Sequence, residues 1–314
     1  MDGPPVTAAD CDPVGPFYLG LPFWGHKGWA GSFYRAKTKP ADHLSQYAQV
    51  FNTVEGNTTF YSLPSEATVE RWAAAVSDDF RFLFKLPRWI SHELRLEAAD
   101  EACADFFTRL APLAPRIGIL LIQLPPSFGP NRLGVLDRFL SRLPAFYDQL
   151  GRSVPFAVEP RHGDFYDPSP ASFRLDDLLR RHGVERCWMD TRALRDGDPT
   201  PPAVIEACRK KPDVPTRIPA LECALGPRPV IRFVAHPDAS TTQPWLRRWT
   251  RVLAHWLRQG RTPYFMVHLP DNQLVPELAA EAHRLLSERV PLTPLSPFPA
   301  SVAPPEPGGQ LSLL

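Results

Sequence analysis

The strongest constraint on the fold of this chain is a repeated alternation between short apolar segments and helix-sized stretches. Each apolar segment has four to seven residues and is rich in β-branched or aromatic side chains, which is typical of strands buried on both faces of a parallel sheet. The segments are Phe17–Phe23, Val50–Glu55, Arg81–Leu86, Gly118–Leu124, Phe156–Glu159, Arg186–Asp190, Val230–Phe233 and Tyr264–His268. Eight strands, each followed by a helix, match a (β/α)8 barrel. We therefore predict an α/β protein with a single TIM-type barrel over residues 17–290.

An open doubly wound sheet would give the same alternation of strands and helices. We favour the barrel because the strand count is eight and no glycine-rich phosphate fingerprint follows the first strand. The sixth unit fits least well, since the connection Thr191–Arg228 is long, charged and rich in proline.

The two ends of the chain differ in character from the barrel region. The first 16 residues indicate a loose arm, and residues 291–314 hold seven prolines, which predicts a disordered, extended tail. The chain has 44% hydrophobic and 22% charged residues, values that exclude a wholly disordered protein. Its net charge of +1 provides no general attraction to nucleic acid or anionic lipid.

The cysteines and the N-terminal sequence favour a cytoplasmic protein. The five cysteines are widely spaced and form no CxxC pair, a pattern typical of free thiols in a reducing compartment. The N-terminus lacks the basic and apolar regions of a signal peptide, and no apolar run approaches the length of a membrane span. We expect no contact with a membrane.

Polar residues end most of the predicted strands, at the face of a barrel where catalytic groups lie. They are Glu55, Lys85, Gln123, Glu159, Asp190, Arg232 and His268. Strand alternation places Glu55 on one face with Thr53, and His268 with Met266, which predicts that these ends point inward. A register slip of one residue would turn them outward, and polar ends could also simply mark where solvent begins.

Inward-facing strand ends would support acid/base chemistry. Glu55 and Glu159 lie three strands apart, and two facing carboxylates suit acid/base or nucleophilic reactions on sugars. Lys85, Arg161 or Arg232 could stabilise an anion, and His268 could move protons near neutral pH. We therefore predict four catalytic residues: Glu55, Glu159, Asp190 and His268.

Histidines near strand ends raise a second possibility, a divalent metal site. His92, His162, His236 and His268 fall at or just after strand ends, beside Glu55, Glu159 and Asp190. No HxH or HExxH spacing is present, so we favour histidines that make ordinary hydrogen bonds over metal ligands. The sequence identifies no cofactor.

Several segments resemble the family called "domain of unknown function 72", the YecE-like proteins. They include FNTVEGNTTFYSLPSEATVERWA (51–73), FRFLFKLPRWISHELRL (80–96), LLIQLPPSFGPN (120–131) and FAVEPRH (156–162). The resemblance implies a TIM-type barrel and no assigned reaction. It singles out Glu55, Asn57, Thr59, Tyr61, Lys85, Arg88, His92, Gln123, Glu159, Arg161 and His162. Our predicted ligand-binding residues are Asn57, Tyr61, Lys85, Arg88, His92, Gln123, Arg161, His162 and Arg232.

The last five residues, QLSLL, resemble the short peptide that binds bacterial sliding clamps. Gln310 would donate or accept hydrogen bonds, and Leu311, Leu313 and Leu314 would fill apolar pockets of the partner. The alternative is an inert end of the chain.

Three functions stay open on this sequence. The first is an enzyme acting on a small polar ligand, such as a sugar or a phosphorylated compound. The second is a metal-dependent phosphodiesterase or repair-linked protein that its tail recruits to a sliding clamp on DNA. The third is a non-catalytic ligand-binding protein that uses the same pocket. The sequence indicates no oligomeric state.

Overall fold

The computed structural model describes residues 15–166, 168–210 and 224–302. Within these ranges, parallel strands β1 to β8 close into a barrel in sequence order, and β1 pairs with β8. The strands are β1 Tyr18–Leu21, β2 Thr53–Gly56, β3 Arg81–Lys85, β4 Ile117–Gln123, β5 Phe156–Glu159, β6 Glu185–Asp190, β7 Val230–Val234 and β8 Tyr264–His268. Each coincides with a predicted segment, so the predicted fold class is confirmed.

Helices surround the barrel and return the chain from the C-terminal end of one strand to the start of the next. They are α1 His43–Tyr47, α2 Thr58–Tyr61, α3 Glu66–Ala74, α4 Asp100–Leu110, α5 Leu133–Arg142, α6 Tyr147–Leu150, α7 Pro170–Arg181, α8 Arg192–Asp196, α9 Pro202–Lys210, α10 Ala239–Arg258 and α11 Val275–Ser287. A single π-helical turn, Trp89–Glu93, follows β3. Across the described ranges, no helix has the length and apolar character needed to cross a membrane.

Strand alternation separates two apolar cores. Side chains on the inner face, among them Leu83, Leu121 and Met266, fill the barrel. The outer face, represented by Phe84 and Phe265, packs on the helices. On five strands the inner apolar layer ends below a polar inward residue, namely Glu55, Lys85, Gln123, Glu159 or His268, whereas the inward residues nearest the end of β6 and β7 are Met189 and Val234.

The proline-rich C-terminal segment starts as a packed strap. Leu292, Leu295 and Phe298 contact the outer core, and the amide of Ala300 donates to the Phe33 carbonyl at 3.1 Å. Three apolar side chains at three-residue spacing give an extended, proline-rich chain one face to bury. Residues 291–302 of the predicted disordered tail are therefore packed on the barrel. The QLSLL residues lie outside the described residues.

Candidate functional site

The carboxylates of Glu55 and Glu159 meet at the C-terminal mouth of the barrel, with the Arg232 guanidinium between them. Arg232 donates from Nε to Glu55 Oε1 at 2.7 Å and from Nη2 to Glu55 Oε2 at 3.0 Å. Its Nη1 donates to Glu159 Oε2 at 2.7 Å. Both carboxylate side chains are fully buried. One planar cation thus bridges two carboxylates, an arrangement that the fork geometry of arginine favours.

Further side chains extend this bridge into a cluster that we call the mouth cluster. His268 Nε2 lies 2.8 Å from Glu55 Oε1, and Arg161 Nε donates to Glu159 Oε1. Lys85 Nζ and Arg161 Nη2 donate to Gln123 Oε1 at 3.1 and 3.3 Å. The mouth cluster comprises Glu55, Lys85, Gln123, Glu159, Arg161, Arg232 and His268. Arg161 and Gln123 are half-buried and lie on its outer side.

The opposing charges decide the protonation of the two glutamates. Burial alone would raise the pKa of each carboxyl group, but cations outweigh it. Arg232 and His268 hold the pKa of Glu55 well below its usual range. Arg161, Arg232 and Lys85 lower the pKa of Glu159 to about 2. Both carboxylates are therefore ionised near neutral pH and can accept a proton or a hydrogen bond, but neither supplies a proton.

Lys85 and His92 are the basic groups that the site makes less basic. Burial, reinforced by Arg232, lowers the pKa of the Lys85 ammonium to about 7, although Glu55 and Glu159 oppose the shift. Burial and the charge of Arg88 lower the pKa of His92 to about 4. Lys85 thus titrates near neutral pH, whereas His92 is neutral there.

The loop after β2 holds Glu55 and Lys85 in place. Asn57 Nδ2 donates to the Pro22 carbonyl at 2.6 Å and to Glu55 Oε2 at 3.3 Å. Thr59 Oγ1 donates to the Lys85 carbonyl at 2.7 Å. The EGNTT motif therefore fixes the orientation of the Glu55 carboxylate and joins the ends of β2 and β3.

Asp190 does not lie in the mouth, so the prediction of Asp190 as a catalytic residue there is wrong. On β6 the inward residues are Cys187 and Met189, and alternation turns Asp190 toward the helices. Its carboxylate accepts from Trp249 Nε1 at 2.7 Å and from Arg192 Nε at 2.9 Å. Asp190 is a buried structural anion between β6, α8 and α10.

The histidines considered as metal ligands do not converge. His236 is fixed at both ring nitrogens, one to the Asp238 amide at 3.0 Å and the other to the Asp198 carbonyl at 2.9 Å. The ring of His162 accepts from the Asp164 amide at 3.3 Å. In the described part of the chain, no three His, Cys, Asp or Glu side chains form a group that could hold a metal ion.

The remaining predicted ligand-binding residues lie around the rim. Arg88 is exposed, and Tyr61 is 76% exposed with its ring against Phe60. His92 packs edge-on against the same Phe60 ring, at a centroid distance of 5.2 Å. The Phe60 ring also faces Lys85 Nζ at 5.7 Å, so Tyr61 and His92 connect to the mouth cluster through Phe60.

Sequence reasoning missed Cys187 and Phe60 as parts of the site. The Cys187 thiol lies 3.7 Å from Glu159 Oε2 inside the barrel, and burial raises its pKa well above the usual thiol range. The Phe60 ring faces Lys85 Nζ at 5.7 Å. Alternation along β6 could have shown that Cys187 points inward, whereas no sequence signal identifies Phe60.

A cavity lies at the end of the barrel opposite to the mouth cluster. It has a volume of about 870 Å³, and Tyr18, Arg81, Arg228 and Tyr264 are among its lining residues. In (β/α)8 enzymes the chemistry is located at the C-terminal face, so we assign the site to the mouth cluster.

Closed strand order and a charged C-terminal mouth define the chain as a TIM-type barrel with a polar site in the usual position. A family model described as "Protein of unknown function DUF72" matches residues 18–302, and the chain belongs to this family. The UPF0759 protein YecE of Escherichia coli (strain K12) is 38% identical over 261 residues, which cover 83% of this chain and 89% of that protein.

Solved structures of two DUF72 family proteins share the fold. The protein from Enterococcus faecalis V583 has a TM-score of 0.63 at 18% identity and covers 90% of this chain and 98% of its own. The protein from Thermotoga maritima MSB8 has a TM-score of 0.62 at 20% identity and covers 87% of this chain and 99% of its own. The predicted family resemblance is confirmed.

Proposed function

We propose that the mouth cluster binds a small polar anion, such as a phosphorylated or carboxylated sugar, and carries out acid/base chemistry on it. The observation that carries this proposal is the Arg232 bridge, which neutralises carboxylate charge inside the site. The two guanidinium groups of Arg232 and Arg161 balance the two carboxylates of Glu55 and Glu159. The positive charges of Lys85 and of the exposed Arg88 are therefore in excess. An anionic group on the ligand would neutralise this excess positive charge.

The protonation states favour Lys85 as the proton donor and acceptor. A general acid works best with a pKa near the operating pH, which Lys85 meets and the ionised glutamates do not. Of the acid/base roles predicted for Glu55 and Glu159, the acceptor role fits these protonation states: both carboxylates accept hydrogen bonds from ligand hydroxyl groups or accept a proton. Hydrolysis of a glycoside by a protonated carboxylic acid is disfavoured for the same reason.

Ligand binding tests this proposal. We expect phosphorylated sugars to raise the melting temperature of the protein, and their unphosphorylated forms to raise it less. Arg161→Ala should weaken binding by about tenfold or more, since it removes a partly buried charged contact. Arg180→Ala, which removes an exposed arginine of α7 paired with Asp177, is the matched control and should leave affinity unchanged.

Two results would contradict the proposal. One is that no phosphorylated or carboxylated compound binds. The other is that Glu55→Gln and Glu159→Gln leave the affinity and every detected turnover unchanged. Binding without turnover across substrate classes would instead favour the non-catalytic alternative.

Recruitment to a sliding clamp is a second, independent proposal, which the terminal QLSLL supports. Twelve residues follow Val302, the last described residue of the strap, and a chain of that length spans at most about 40 Å when fully extended. We expect immobilised clamp to retain the full-length protein and not a variant lacking Gln310–Leu314. The matched control is the Glu306→Gln variant, which keeps the motif. Equal retention of the full-length and shortened proteins would rule out this recruitment.

A further inference from the structure

Lys85 differs from the other basic side chains of the mouth cluster in its contacts. Arg161 and Arg232 donate to carboxylates, whereas Lys85 Nζ, among the described residues, has its one hydrogen bond to the neutral amide of Gln123. The lysine is 6% exposed, and its Nζ faces the Phe60 ring, against which the half-buried His92 also packs. A buried amine without a carboxylate partner is poorly stabilised as an ammonium ion.

We propose that Lys85 forms an imine with the carbonyl group of a small anionic aldehyde or ketone bound at the mouth. The inference rests on the proposed function, since it names the class of anion that the same site takes. Its structural basis is the location of a primary amine at the C-terminal end of β3, in a cluster that also holds the guanidinium groups of Arg161 and Arg232.

Charged groups from several elements act on the amine. The groups that influence Lys85 are Glu55 of β2, Glu159 and Arg161 at the end of β5, and Arg232 of β7. The two arginines disfavour its protonated form and the two glutamates favour it, while burial disfavours it most strongly. With the pKa of Lys85 at about 7, close to half of this amine is neutral at pH 7. For a lysine of ordinary pKa the neutral fraction is about a thousandfold smaller.

The reaction balances with groups that are present. The Nζ lone pair attacks the carbonyl carbon and forms the C–N bond, the C=O π bond opens, and one proton passes from nitrogen to this oxygen. The resulting carbinolamine breaks its C–O bond, the hydroxyl group leaves as water with the second proton of nitrogen, and a C=N bond forms. Nitrogen thus gives up the two protons that leave with the oxygen as water. No oxidant or reductant is required.

Arginines at the outer side of the mouth suit the anionic part of such a ligand. Arg161 is half-buried and Arg88 is exposed, so a phosphate or carboxylate could pair with both at the entrance. The carbonyl carbon of a compact molecule would then lie deeper, toward Lys85. The exposed lysines Lys27, Lys37 and Lys39 have no such surroundings and provide internal comparisons.

Reductive trapping on the full-length protein tests the inference. The protein is incubated with dihydroxyacetone phosphate or glyoxylate, reduced with sodium borohydride at a series of pH values, and mapped by peptide mass spectrometry. We expect an adduct on Lys85 before any on the exposed lysines, with a labelling rate that rises through about pH 7. Glycerol 3-phosphate, which has the anion without the carbonyl group, should slow labelling.

Lys85→Arg keeps a basic side chain and removes the nucleophilic amine. The variant should therefore still bind glycerol 3-phosphate but form no adduct at residue 85. The matched control, Lys39→Arg, should leave Lys85 labelling unchanged. If glycerol 3-phosphate binds the wild-type mouth but labelling follows the exposed lysines alone, the imine is overturned and the proposed function stands. If glycerol 3-phosphate neither binds nor slows labelling, the anion site fails, while selective Lys85 labelling still supports imine formation.

Discussion

Replacing Arg232 by methionine is expected to lower the free energy of unfolding by about 3–5 kcal/mol at pH 7, measured by urea denaturation. Methionine fills much of the same volume but leaves Glu55 and Glu159 buried without their common cation. The cost arises from the lost charge compensation rather than from lost packing, since Glu55 keeps His268 and Glu159 keeps Arg161 as the remaining basic partners. Removing Arg232 raises the pKa of both carboxyl groups relative to wild type, so the loss should shrink as the pH falls from 7 to about 5.

Compensating variants separate this electrostatic account from simple misfolding. Adding Glu55→Gln to Arg232→Met should recover part of the lost stability, because the amide removes one of the unpaired charges. Arg284→Met is the matched control, since Arg284 is 55% exposed on α11 and pairs with Glu281 at the surface. Its effect should stay below about 1 kcal/mol. A loss for Arg232→Met that is the same at every pH and unaffected by Glu55→Gln would contradict the account.

Acid is expected to destabilise the protein strongly through Glu159. The carboxyl group has a pKa of about 2 in the folded chain, compared with its ordinary value of 4.5. A lowered folded-state pKa contributes stability that is fully present above pH 4.5 and is lost as the pH falls toward 2. The shift corresponds to about 3 kcal/mol over that interval. Denaturation curves at a series of pH values measure it.

Glu159→Gln should flatten this part of the stability profile, because the amide does not titrate. Its stability at pH 7 will also be lower, so the slope between pH 4.5 and 2 is the quantity to compare. Glu66→Gln is the matched control, since its carboxylate is 81% exposed and lies 3.7 Å from Arg109. Equal slopes for wild type and Glu159→Gln would show that Arg161 and Arg232 do not lower the pKa of Glu159.

Local pattern explains why the inward positions could be predicted from the sequence. Glu55 shares a strand face with Thr53, and His268 shares one with Met266. These relations can be read from each strand alone because side chains alternate between the two faces with a period of two. The same rule, applied to β6, would have placed Cys187 inward and Asp190 outward. The prediction for Asp190 was wrong because it used the position of the residue at the strand end and not its face.

The strap shows a similar limit. Its prolines predict an extended chain, and residues 291–298 form neither helix nor strand before a short 3-10 helix, Pro299–Ser301. The apolar spacing of Leu292, Leu295 and Phe298 becomes informative only when the surface that covers these side chains is known. An extended segment without intrinsic helical or strand periodicity has no local signal for its packing partner.

By itself, the sequence determined the eight strands, their parallel arrangement and the polar residues at their ends, since these depend on local periodicity and chain connectivity. Only the tertiary structure decided that Arg232 lies between two carboxylates that are 177 and 73 residues away in the chain. Contacts across a barrel mouth depend on how the closed sheet staggers its strands, which no single segment specifies. The same closure removes water from Lys85 and Glu159, so their protonation states are properties of the assembled barrel and not of the residues.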